Sequence, residues 1–304
     1  MARASAKSPF PPGARACYNP LHMYTLGYNT NGLAHHRVLD ALDLISEIGY
    51  GGAALTPDAG LLDPFHLRPG ELQEVRQRAQ ERGLKLTMES GSRFLLDPGR
   101  KHFPTLLDVD LSDRMRRVDF LKRCIHMAAD LGAEVFSFWA GAAPDGSLGD
   151  TGHHEEIWDR LVEGTRHVLA FGREAGVQIA FEPEPGMFIE GPGGYDLLLA
   201  RLGSDGSELG LCLDVGHLLC TGDLPVPDVI RRYRKEIKQV HLDDIKNGEH
   251  IHRMFGEGDL DLPATLAALG EIEYSGMAAV ELSRDAHRGP SAAREAYRAL
   301  LGSR

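Results

Sequence analysis

The chain has 304 residues, with 33 Lys and Arg against 44 Asp and Glu, a formal net charge of −11. That length suits one large domain or two ordinary ones and buries enough core to fold without disulfide or metal staples. The acidic excess counts against a surface that tracks phosphate backbones, and the lack of an eighteen-residue apolar run counts against a membrane span.

Residues 1–15, MARASAKSPFPPGAR, are basic and Pro-rich with no apolar stretch, so they read as a disordered tail rather than a secretory signal. Residues 16–304 read as the folded catalytic domain. Within it, short apolar runs alternate with longer amphipathic segments. The runs are Ala16–Tyr18, Gly52–Leu55, Leu84–Met88, Glu134–Trp139, Val177–Phe181, Leu209–Leu213, Ile237–Leu242 and Met277–Leu282. Gly49, Gly83, Gly132, Gly176 and Gly276 precede several of them, as helix C-caps do before a returning strand. Val38–Ile48 places Leu39, Leu42, Ile45 and Ile48 on one helical face, and Met115–Leu131 and Ile157–Ala175 follow the same periodicity. Pro69, Pro225 and Pro290 fall near helix starts, where a missing N–H is tolerated. Cys17, Cys124, Cys212 and Cys220 have no CxxC spacing and read as reduced thiols, with the cytoplasm as the expected compartment.

Eight strand–helix repeats in a chain of this length predict an α/β fold, a single (β/α)8 TIM barrel. The competing open, doubly wound sheet lacks a GxGxxG after its first strand. No Gly/Ser- or Pro-rich linker divides the chain. In such a barrel, chemistry sits at the C-terminal ends of the strands. The third run ends on Glu89, the fifth on Glu182 and Glu184, the sixth on Asp214 and His217, the seventh on His241, Asp243 and Asp244, and the eighth on Glu281.

Glu182, Asp214, His241 and Glu281 come from four consecutive strand ends and would converge from one side of the axis. Three adjacent carboxylates repel unless one is protonated or a cation is shared. Three carboxylates with one imidazole suit one divalent metal ion, Mn or alternatively Mg, Co or Zn, with coordination positions left for substrate oxygens.

The series Glu182, Asp214-Val-Gly-His217, His241 and Glu281 resembles the xylose-isomerase-like superfamily of TIM barrels. Its members include sugar and sugar-phosphate isomerases and epimerases, inosose and related dehydratases, and apurinic-site endonucleases. VHLDDIKNGEHIHRMFGEGDLDL is also similar, through His241, Asp243, Arg253, Gly256 and Gly258. The resemblance implies that Glu182, Asp214, His241 and Glu281 ligate the metal. It also implies that Glu182 and Glu281 transfer protons, and that His217 and Arg253 contact substrate oxygens. A metal chelating a carbonyl and its neighbouring hydroxyl would stabilise an enediolate, while one carboxylate removes the α-proton and another returns one.

Two departures matter. The strand ends MESG and FWAG carry no His, so a trinuclear nuclease site is incomplete. His250-Ile-His252 stands where the nucleases have Asp-x-His. If His252 reaches the site, an elimination becomes accessible, either inosose-type dehydration or cleavage of a 3-keto-C-glycoside. Trp139 could stack on a sugar face, and Glu89, His22 and Glu184 could bind hydroxyls, with Glu184 as reserve metal ligand. The basic stretch Arg231, Arg232, Arg234 and Lys235 reads as a solvated helix face. No Gly-rich phosphate cradle precedes the last helices, which favours a non-phosphorylated keto-sugar or polyol.

The expected protein is therefore a metal-dependent isomerase or epimerase. A lyase on the same scaffold is the alternative, and a nuclease or a barrel without catalysis lies further off. The implied partner is a small-molecule carbohydrate rather than nucleic acid or membrane, with homo-oligomerisation left open.

Overall fold

A computed structural model describes residues 24–149 and 154–303. Eight parallel strands close into a barrel in sequence order. They are β1 (Thr25–Asn29), β2 (Gly52–Leu55), β3 (Lys85–Glu89), β4 (Val135–Phe138), β5 (Gln178–Phe181), β6 (Gly210–Asp214), β7 (Ile237–Leu242) and β8 (Met277–Val280). The surrounding helices are α1 (Val38–Ile48), α2 (Glu71–Glu81), α3 (Leu111–Leu131), α4 (Glu155–Ala175), α5 (Pro192–Leu202), α6 (Val215–Thr221), α7 (Val226–Arg232), α8 (Leu262–Glu271) and α9 (Gly289–Gly302). The expected (β/α)8 barrel is the fold. None of the helices in the described residues is long and apolar enough to cross a membrane.

The first strand corrects the sequence reading. Ala16–Tyr18 lie outside the described residues, and the barrel closes instead through Thr25–Asn29. Thr25 pairs with Met277 on one side and Gly27 with Gly52 on the other. The apolar-run criterion passed over TLGYN because this strand needs little bulk on its inner face. A Cβ on Gly27 would stand 2.6 Å from Met277 Sδ, so Met277 fills the space that two side chains would otherwise share.

Helix boundaries follow from local chemistry. Gly49, Gly132 and Gly176 take left-handed backbone conformations and their N–H groups close the last turns of α1, α3 and α4, as expected of C-caps. Gly276 is not a cap and has no positive φ. α3 begins one turn earlier than predicted because the Asp110 side chain accepts from Ser112 N at 2.7 Å. The main apolar core lies between strands and helices, with Phe136, Phe138 and Phe181 buried against α3–α5 residues such as Phe120, Trp158 and Tyr195. The basic face is solvated as read: Arg231 pairs with Asp228 and Glu271, and Arg232 with Asp196.

The Gly27–Met277 packing is testable. Gly27→Val overpacks the barrel floor and lowers unfolding free energy by about 1–3 kcal/mol in urea melts. Adding Met277→Ala recovers part of that loss, so the two substitutions are non-additive.

Candidate active site

Alternate residues of a strand face the same side, and this period builds the site. Met277, Ala279 and Glu281 form one inward column, Gln239, His241 and Asp243 the next, then Cys212 and Asp214, then Ala180 and Glu182. The lower residues make two small apolar clusters, Ala54–Met277–Ala279 and Val135–Ala180–Cys212. One inward step higher, the interior becomes charged. Register holds these rungs level, with Asp214 paired to His241 and His241 to Ala279.

His241 is the centre. Its Nδ1 lies 2.8 Å from Glu182 Oε1 and 2.9 Å from Glu281 Oε2. Ligand atoms of Glu182, Asp214, His241 and Glu281 all fall within 4.8 Å of one another. His241, Asp214 and Glu182 are buried. A single Nδ1–H can satisfy one carboxylate at a time, and Asp214 Oδ2 is buried with no hydrogen-bond partner. This donor set fits a divalent cation of the Mn, Mg, Co or Zn type. The His241 Nε2 lies 2.8 Å from the Gln239 side-chain amide. The atom facing it is the amide nitrogen, while the amide oxygen is buried without a partner; with the amide turned over, the oxygen accepts Nε2–H and Nδ1 is left free to ligate.

Without a cation, the imidazole itself takes up the compensating charge. Burial opposes charge on His241, yet Cys212, Glu182 and Glu281 together hold its pKa well above the ordinary histidine value. Burial would raise Glu281, but the facing His241 pulls it below the usual carboxylate range. Asn31, on the 3-10 turn Thr30–Leu33, donates to Glu281 Oε1 at 2.8 Å and fixes it. Glu89 and Glu184 are pushed up to about 8, by burial first; Glu281 adds to this for Glu89 and Glu182 for Glu184. The pocket thus holds more carboxylates than it can ionise alone.

His217 donates from Nδ1 to the Pro183 carbonyl at 2.9 Å, which leaves Nε2 facing Glu184 at 3.7 Å and Asp214 at 3.8 Å. Despite burial, Asp214 and Glu184 raise it to about 9. His250 Nε2 lies 3.2 Å from His217 Nε2, and His252 Nδ1 lies 3.0 Å from the buried Asp243. His217, His250 and His252 form a second group with ligand spacing.

A cavity of about 380 Å³ opens above these groups. Of the residues singled out from sequence, Glu89, Trp139, Glu182, Glu184, His252 and Glu281 line it, while Asp214, His217 and His241 lie beneath. Trp139 is held between the edge of His102, with centroids 5.0 Å apart, and the buried Arg117 guanidinium at 4.2 Å. His22 lies outside the described residues. Arg253 lies apart from the others: its side chain pairs with Glu249 at 3.2 Å and does not line the cavity. Its backbone instead bridges to Asp244. That carboxylate accepts from Ile245, Gly256, Gly258 and Leu260 N–H groups at 2.9–3.0 Å. The Gly-x-Gly therefore wraps an internal anion and secures the loop that carries His250 and His252. Sequence reasoning missed Asn31, Arg93, Lys101, His102 and Arg284. The basic stretch from Arg93 to His102, in the loop after β3, was the available signal for three of them.

The closed barrel and this cluster of carboxylates and histidine have counterparts among known proteins. The family model for the xylose isomerase-like TIM barrel matches residues 42–301, and the chain belongs to that family. An inosose dehydratase of Lacticaseibacillus casei is 27% identical over 148 residues, covering 43% of this chain and 49% of that protein. One from Clostridium perfringens is 27% identical over 149 residues, with the same coverage. The chain spans about half the length of the curated relatives it matches. By structure, D-allulose 3-epimerase from Methylomonas sp. in complex with D-allulose matches with a TM-score of 0.72 at 14% identity, over 92% of this chain and 97% of that one. The 3-keto-D-glucoside 4-epimerase of E. coli gives 0.72 at 17% identity, over 92% and 99%. At such identities the structural likeness concerns the fold.

Metal content provides the check. The purified protein should carry a divalent ion that chelation removes, and Glu281→Gln and His241→Ala should each lower its content by elemental analysis. An ion present at a hundredfold its dissociation constant adds about 2.7 kcal/mol to stability, so chelation should lower the melting temperature. Unchanged metal content in both variants would exclude this ligand set.

Proposed function

We propose that the protein is a divalent-metal-dependent isomerase or epimerase of a keto-sugar or related polyol. One observation carries this: two carboxylates, Glu182 and Glu281, flank a single imidazole nitrogen at the floor of a polar cavity. Glu182, Asp214, His241 and Glu281 would hold the ion. When bound, it supplies Lewis-acid stabilisation of negative charge developing on the substrate's oxygens.

The residues themselves perform the proton chemistry. Glu281 is kept ionised by His241 and fixed by Asn31, so it carries no proton of its own; the same pull weakens it as a base and leaves the bound ion to acidify the substrate's α-hydrogen. Glu182, from β5, enters on the other side of His241 and would return a proton, inverting the carbon. Trp139 offers an apolar wall for a sugar ring. Glu89 and Glu184 present oxygens for hydroxyls, and Glu89 is itself held by Thr56 and Asn31. The hydroxyl-bearing part of a sugar fits the floor, because its hydroxyls can donate to carboxylates that would repel an anion there.

Elimination is a second reading, favoured by a specific observation: His252 lines the cavity within reach of Asp243. The inosose dehydratases at 27% identity lend it support. A histidine there is placed to pass a proton to a leaving hydroxyl after the α-proton is removed.

Solvent-deuterium exchange followed by NMR separates the readings. Epimerisation exchanges the α-hydrogen of a ketose without loss of water, whereas a new unsaturated product means lyase. Glu182→Gln with metal still bound should lower turnover by about 10²–10⁴-fold, the usual worth of a positioned acid–base group. Full turnover in that variant would remove Glu182 from proton transfer.

A further inference from the structure

The cavity has two electrically opposite ends. Its floor is Glu89, Glu182, Glu184 and Glu281, while its rim includes Arg93, Lys101 and Arg284. Arg93 and Lys101 come from the loop after β3, and Arg284 from the 3-10 turn Ser283–Arg288 after β8, so the fold brings them together from distant sequence positions. Among the described residues, no carboxylate lies within ion-pair distance, 4 Å, of any of these three cationic groups. By contrast Arg78, Arg173, Arg201 and Arg288 each hold a carboxylate. Glu184 bears on Lys101 across the cavity's lining, and Asp58 and Arg93 bear on one another. Asp285, beside Arg284 in sequence, is engaged by Arg288. Lys101 is lowered below its ordinary value by burial, with Arg93 and Arg284 adding to the shift. His102, lowered to about 4 by burial and by Lys101, stands neutral between this rim and Trp139.

Three cations that line one cavity without salt-bridge partners, two of them bearing on the third, suit a ligand that supplies the missing charge. We propose that the substrate is an anionic keto-sugar. Its terminal carboxylate or phosphate ester is held by Arg93, Lys101 and Arg284, while its carbonyl end lies on the acidic floor. This deepens, and rests on, the proton-transfer reading of the same site. It also revises the expectation of a neutral substrate. That expectation looked for a glycine-rich cradle, whereas here the anion would be met by side chains.

The test uses the metal-loaded protein and three compounds of matched chain length: a neutral ketose, a keto-aldonate and a ketose phosphate. The expected result is a KM at least tenfold lower for one acidic compound than for the neutral one, and which acid is preferred identifies the anionic group. In Lys101→Met/Arg284→Gln this discrimination should fall to near one, since each charge-assisted contact is worth about tenfold or more. The loss should fall on KM rather than kcat. Equal KM for neutral and acidic compounds, or discrimination unchanged in the double variant, would overturn the proposal. A separate arm needs no turnover: calorimetric titration with D-glycerate and with inorganic phosphate. Binding by the unsubstituted protein that the double variant loses supports the anion site even if no compound exchanges its α-hydrogen, an outcome that would defeat only the proton-transfer reading. Absence of binding by the unsubstituted protein, or equal binding by the double variant, counts against it.

Discussion

Three carboxylates cannot stand ionised around one imidazole in a buried pocket without a compensating charge. Much of this barrel's upper interior is arranged around that conflict. Register sets Asp214 beside His241, and the extension of β5 and β8 by one ladder bond each, Glu182 N to Phe138 O and Glu281 N to Leu242 O, delivers the two glutamates to the same level. Asn31 then fixes Glu281, and Gln239 orients the imidazole from below. Each of these contacts removes freedom that the carboxylates would otherwise use to move apart. The repulsion must therefore be relieved in place, by a proton held among these groups or by a shared cation, which suits the donors.

The legible part of the molecule follows from short-range chemistry. Strand runs such as Gly52–Leu55 and Ile237–Leu242, the α1 periodicity and the caps at Gly49, Gly132 and Gly176 rest on rules that hold within a few residues. Because strands alternate inward and outward, a polar residue that ends an apolar run was also a strong pointer to the floor of the site. The first strand failed that test for a reason found elsewhere in the chain. Gly27 is small because Met277, on the neighbouring strand, occupies its space, and no local property of TLGYN announces it.

Loop residues were harder for the same reason. Arg253 has the right spacing for a substrate contact, but spacing does not fix the direction of a side chain. The Asp244 carboxylate gathers four backbone N–H groups and sets the course of the loop. That course turns Arg253 toward Glu249 and brings His250 and His252 to the cavity. The Gly-x-Gly is thus a structural device in this chain: a side chain on Gly258 would collide with Asp244 and the Ile245 carbonyl.

The net charge of −11 averages over two arrangements with different consequences. Most of the acidic groups at the surface are matched by arginines, as Arg173 with Glu208 and Arg201 with Glu155 illustrate, and such exposed pairs contribute little to stability. Inside the barrel mouth the signs are separated instead. Carboxylates at depth and cations at the rim set up a field along the cavity, and low-dielectric walls keep solvent from screening it as fully as at the surface. A flexible polyhydroxy chain has no preferred direction in such a field. A chain with a negative charge at one end has one, and that direction places the opposite end, with its carbonyl, beside Glu182 and Glu281. Charge separation in the cavity would therefore act on orientation as well as affinity, and orientation is what proton transfer between two fixed carboxylates requires.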